Sequence, residues 1–132
     1  MKFIRIDHTP QGESCFSDCD WQLDEGSFTP PSPAGYLTSQ TLPADGVLVM
    51  HHPAGYKDEW HAAPAPVLGT VLHGQVCIQT SDMKTRVLQP GDQFLACDLK
   101  GKGHRMSEIS DGPYDLVLVI LDTIPPQERG AR

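Results

Sequence analysis

The sequence predicts an all-β fold, and three observations carry that prediction. Short runs of aliphatic and β-branched residues recur about every ten residues, the spacing of strands in a sandwich or barrel. They are bounded by Gly, Pro or Asp, in a chain of 132 residues with 12 glycines and 12 prolines. No segment sustains the apolar 3.6-residue period of an amphipathic helix.

Each element follows in turn. KFIRI (2–6) alternates, and SCFSDCDWQL (14–23) does so weakly. FTPPSPAGY (28–36) holds three prolines, which cannot donate to a ladder, and predicts an extended strap over the sheet. GVLVMHH (46–52), VLGTVLHG (67–74), QVCIQT (75–80), TRVLQ (85–89), QFLACD (93–98) and YDLVLVIL (114–121) predict six further strands. SDMK joins two of these into a hairpin; Ser81 and Asp82 suit its turn, but Met83 stands where such turns ask for Gly or Asn. QPGD (89–92) predicts a turn in which Pro90 presets φ and Gly91 is free to take an unusual one. PPQERGAR closes the chain as a polar tail, so a single domain is expected over 1–122 and a tail over 123–132.

Composition bounds the function. With 39% hydrophobic residues the chain can bury a core without disulfides. A net charge of −7, with no clustered Lys and Arg, argues against a nucleic-acid partner. LVLVILDTI (116–124) is broken by Asp122 and too short to span a bilayer. MKFIRI lacks the apolar core and cleavage site of a signal peptide, so no membrane partner and a cytoplasmic location are expected. Cys15, Cys19, Cys77 and Cys97 form no C-x-x-C pair and are expected as reduced thiols, with Cys77 and Cys97 as small core residues.

Residues 55–105, GYKDEWHAAPAPVLGTVLHGQVCIQTSDMKTRVLQPGDQFLACDLKGKGHR, carry W-H-x-A-P, L-x-G, S-D, P-G-D and G-K-G-H in that order. In this they resemble the cupin superfamily, and most of all its small single-domain bacterial members. The resemblance implies a cupin barrel (a double-stranded β-helix, or jelly roll) whose inward side chains line one pocket. It also implies a homodimer, with KFIRI a candidate for strand exchange.

The first signature stretch of that family reads G-x5-H-x-H-x3-4-E-x6-G. Here Gly55 and Gly74 fit its ends and His61 its first histidine, while Ala63 and Val67 stand at the second histidine and the glutamate. His104, after GKG, fits the histidine of the second stretch, at a longer spacing from Gly91 than usual. The resemblance thus implies a pocket lined by His61, Ala63, Val67 and His104; Trp60 and Tyr36 are aromatic candidates for packing over a ligand at its mouth. A divalent transition metal (Ni, Fe, Mn or Zn) wants three or more donors. His61 and His104 would hold one only by recruiting Glu59, Asp98, His51 or His52.

Other roles need no metal. Histidine is an acid or base near neutral pH, so His61 and His104 are catalytic candidates, with Glu59 and Asp98 as acid–base partners. His51 and His52 are adjacent in a strand, so at most one faces the pocket. His73, before Gly74, reads as surface. Lys100 and Lys102 lie among glycines whose N–H groups can approach an anion, and Lys102 would be its counter-charge. Three functions remain open. The chain binds a small molecule through His61 and His104 without metal, or it is a metal-dependent isomerase, lyase or dioxygenase with a completed ligand set, or it is a non-catalytic dimeric regulatory or assembly protein.

Overall fold

A computed structural model of the chain describes residues 1–25, 35–109 and 112–126. Its strands are β1 (Lys2–His8), β2 (Ser14–Asp20), β3 (Asp24–Glu25), β4 (Leu37–Thr38), β5 (Ala44–His52), β6 (Val67–His73), β7 (Val76–Thr80), β8 (Thr85–Leu88), β9 (Gln93–Ala96), β10 (His104–Glu108) and β11 (Tyr114–Leu121). Among the described residues there is no helix long and apolar enough to cross a membrane. The fold is all-β. One sheet has six strands in the order β2-β1-β9-β6-β11-β5, a second has three in the order β10-β7-β8, and β3 and β4 form a short ladder of their own. All pairings are antiparallel except β1 with β9.

Strand parity sorts the apolar residues into two cores, because neighbours along a strand point to opposite faces. Ile6, Phe94, Ala96, Tyr114 and Leu116 face one way and meet Val76, Ile78 and Leu88 of the smaller sheet. Phe3, Leu95, Cys97 and Leu121 face the other way and pack with Trp21, Leu42 and Val119. The same parity corrects the expectation for Cys77. Val76 and Ile78 are buried on either side of it, so Cys77 is turned to the opposite face and only half-buried. All four thiols are unbridged, and burial pushes that of Cys97 up to about 11, far from thiolate at neutral pH.

β1 is not an edge strand of the large sheet. It lies between β2 and β9, paired along Lys2–His8 with β2 and at Ile4–Ile6 with β9. A tight turn, Gly12 N–H to the Thr9 carbonyl (2.9 Å), folds β2 back over it. The edges of the large sheet are β2 and β5. The strap expected at 28–36 falls largely outside the described residues; Gly35 and Tyr36 lead into β4. Of the polar tail, Pro125 lies against the sheet and its carbonyl accepts from buried Arg5 (3.0 Å), and residues 127–132 are outside the described set.

Two local features explain how the sheets close. Gly69 stands opposite Phe94, and a Cβ there would come within 2.2 Å of the ring, so only glycine lets the ring lie across β6. The β7–β8 hairpin turns through residues 81–83 with Met83 at φ 71°, the left-handed position of a three-residue loop. Asp82 steadies the turn by accepting from Thr80 Oγ1 (2.5 Å) and Lys84 N–H (3.1 Å).

Candidate functional site

The cavity of interest lies between the inner face of the large sheet and β10, with a volume of about 340 Å³. Its walls are hydrocarbon by strand parity: Leu48 and Met50 from β5, Leu116, Leu118 and Ile120 from β11, and Phe94 and Ala96 from β9. Against them stand His52, Tyr56, Asp58, His61 and His104.

His61 and His104 are brought together by backbone. Each donates its N–H to the other's carbonyl at 3.0 Å, an isolated antiparallel bridge, and the rings stand 4.9 Å apart at 55°. Gly103 makes this approach feasible: at φ +75° a Cβ would lie 2.1 Å from the His61 carbonyl. One residue pair further on, Ala63 N–H bonds the Asp98 carbonyl (2.9 Å). Residues 61–63 are therefore stapled to His104 at the start of β10 and to Asp98 in the loop before it.

Both imidazoles are oriented through Nδ1. His104 Nδ1 lies 2.6 Å from Asp98 Oδ2, with both side chains buried. His61 Nδ1 lies 2.7 Å from the Glu59 carbonyl, which can only accept, so this nitrogen carries the hydrogen. With Asp98 ionised the same holds for His104. Each ring then turns Nε2, with its lone pair, away from its Nδ1 partner. Asp58 supports the loop: Oδ2 accepts from Met106 N–H (2.8 Å), Oδ1 from Glu59 N–H (3.0 Å), and Oδ1 lies 3.6 Å from His61 Nδ1.

His52 forms a second aromatic corner. Its ring stacks on Tyr114 at 4.4 Å and meets Tyr56 at 4.8 Å. Burial lowers its pKa and so favours the neutral ring; burial likewise raises that of the Tyr114 hydroxyl, helped by the nearby Asp58 carboxylate. Among the described residues neither His52 Nδ1 nor the Tyr114 hydroxyl has a hydrogen-bond partner, and Asp98 Oδ1 also lacks one there.

The residues singled out in the sequence divide clearly. His61, Ala63, Val67 and His104 line the cavity together. Asp98 sits behind His104, buried rather than exposed. Glu59 contributes its carbonyl, and its carboxylate is no part of the wall. Trp60 is outside the cavity, half-exposed under the Arg105 guanidinium at 4.9 Å, and Tyr36 is also outside the wall, beside β4. Lys102 does not reach the site: its ammonium pairs with Glu13. Lys100 is exposed in the same loop. His51 points away from the cavity to Asp115 (2.5 Å), and exposed His73 lies near the same carboxylate (3.7 Å).

Tyr56 and Asp58 were not anticipated as wall residues, and His52 was named only as an alternative to His51. His52 shares the parity of Leu48 and Met50, which was legible; Tyr56 and Asp58 reach the wall through a loop, which has no period to read.

A metal fits this donor set poorly. Two Nε2 atoms are presented, but the next places hold the side chains of Ala63 and Val67, and Asp98 is engaged with His104 Nδ1. Among the described residues no group of three or more His, Cys, Asp and Glu is arranged to hold an ion.

Fold and site together define an all-β protein with an apolar cavity and a paired-imidazole wall. No protein-family model matches the sequence, and no curated relative matches it. Among solved structures the chain is similar to the crystal structure of protein NMB1881 from Neisseria meningitidis, at 17% identity and a TM-score of 0.47, over 58% of this chain and 72% of that one.

Proposed function

We propose that this chain is a cupin-type barrel that binds a small, largely apolar molecule without a metal, holding its polar group between His61 and His104. The observation that carries this reading is the pairing of two imidazoles, each fixed through Nδ1, on the wall of an otherwise hydrocarbon cavity. Such a cavity supplies affinity through apolar burial and orientation through a few placed polar groups. The chemistry available is proton transfer. His104 Nε2 can take a proton from an acidic group on the ligand, and Asp98, accepting from Nδ1–H, stabilises the imidazolium that forms.

Metal analysis of protein purified without chelator or a metal-affinity tag tests this reading against the metal-dependent one. Less than a tenth of an equivalent of Ni, Fe, Mn or Zn is the expected result. Near-stoichiometric metal, lost in both His61→Ala and His104→Ala, would overturn the metal-free reading.

A second reading concerns assembly, and one observation favours it. Among the described strands β5 pairs on one side only, with β11, yet Val47 and Val49 are 66% and 74% exposed. A long apolar edge of this kind is a template for another strand. Antiparallel self-pairing centred on Leu48 sets Val47 of one copy opposite Val49 of a second, and Asp45 opposite His51. Apolar then meets apolar and acid meets base. A two-fold homodimer continuing the large sheet through β5 is the assembly we propose. It would also bring a second copy beside Leu48 and Met50 at the cavity's exposed rim.

A further inference from the structure

We infer that the ligand of this cavity presents a hydroxyl group to the histidine pair, so that the site selects apolar alcohols and phenols over ethers, ketones and carboxylates. The inference rests on the binding reading above and adds the chemical class of the ligand.

Hydrogen-bond polarity is the ground for it. A neutral imidazole has one N–H and one lone pair, and which nitrogen holds the hydrogen is set by the bond the other makes. For His61 the partner of Nδ1 is a carbonyl oxygen at 2.7 Å, and for His104 it is a carboxylate oxygen at 2.6 Å. Both partners call for a hydrogen on Nδ1. Both Nε2 atoms are thereby left as acceptors, and a ligand must bring the hydrogen.

A proton added to one ring does not reverse this. With one ring protonated, the other, 4.9 Å away, still presents a lone pair at Nε2. The carboxylates facing the pair are Asp98 behind His104 and Asp58 beside His61, each on the Nδ1 side. At least one Nε2 therefore keeps its lone pair in either state. A hydroxyl suits both states: with the rings neutral it donates to one Nε2, and with one ring protonated it donates to the neutral ring and accepts from the Nε2–H of the other. An ether, ketone or carboxylate only accepts and leaves the nitrogen of buried His104 without a donor, a loss of the kind by which hydrogen-bonding sites reject analogues lacking the hydroxyl. The rest of the wall, Leu48, Met50, Phe94, Leu116, Leu118 and Ile120, asks only for an apolar body.

The test compares 4-ethylphenol, its methyl ether 4-ethylanisole, and 4-ethylbenzoate by calorimetric titration of the wild-type chain, with His61→Ala as a variant on the more exposed of the two rings. The phenol is expected to bind about tenfold or more tightly than the ether, the value of one well-placed hydrogen bond, with the benzoate weaker still. In His61→Ala the gap between phenol and ether should shrink. Equal binding of phenol and ether, or a preference for benzoate, would overturn the hydroxyl inference while leaving the cavity reading intact. If none of the three binds, both are overturned.

Discussion

His104 donates its Nδ1 hydrogen to Asp98 across 2.6 Å, with the two side chains 3% and 0% exposed. This buried pair is the polar element on which the site is built. Removing one member leaves the other without a partner away from water. Asp98→Ala should therefore destabilise the fold by about 3–5 kcal/mol. Asp98→Asn keeps an oxygen that can accept from Nδ1–H and should cost less, about 1–2 kcal/mol. Urea denaturation followed by tryptophan fluorescence reads both; equal stability of wild type and Asp98→Ala would contradict the pairing.

Stability should also fall on the acid side through His52. Burial lowers its pKa in the folded chain below the ordinary 6.5. Above 6.5 the ring is neutral in folded and unfolded chains alike, and its pH term vanishes. As the pH falls through 6.5 the unfolded chain takes up the proton first, so folding is progressively penalised until the folded-state value is passed. His52→Phe keeps an aromatic ring against Tyr114 and should flatten this part of the stability–pH curve. An unchanged curve would remove His52 from the account.

Met83 offers a test of the hairpin. At φ 71° a methionine bears the steric cost of the left-handed region, which asparagine carries more easily. Met83→Asn is expected to raise stability by about 0.5–1 kcal/mol, visible as a higher thermal midpoint. A drop would mean that the exposed methionine side chain contributes packing that outweighs its backbone strain.

The assembly reading is tested at β5. Val49→Lys places charge on the exposed edge face, with no cavity residue altered. Sedimentation equilibrium should give a dimer for the wild type and a monomer for Val49→Lys. A wild-type monomer, or a dimer indifferent to the substitution, excludes β5 as the interface.

The long apolar runs were legible because their parity is strong: YDLVLVIL matches β11 from Tyr114 to Leu121. β10, HRMSE, has no apolar alternation, and it is a strand only because β7 pairs with it. The misfit of Met83 to its turn could be read in advance, since the turn's demand for positive φ is local. Asp98 could not be placed the same way. Its residue type made it an acid–base candidate, but nothing local marks it as buried, and only the tertiary return of His104 to its side makes it a buried acceptor. His61 and His104 are far apart in sequence and meet through the loop from Asp98 to Gly103, whose path local residue preferences do not encode.

The central claim is that a hydroxyl-bearing apolar molecule sits in the cavity between the two Nε2 atoms. A crystal of the wild-type chain grown with 4-ethylphenol tests it most directly. The expected result is density in the cavity, with the phenol oxygen within hydrogen-bond distance of Nε2 of His61 and of His104 and the ethyl group against Leu116 and Leu118. A cavity empty of the probe, or a phenol oxygen turned away from both histidines, would contradict it.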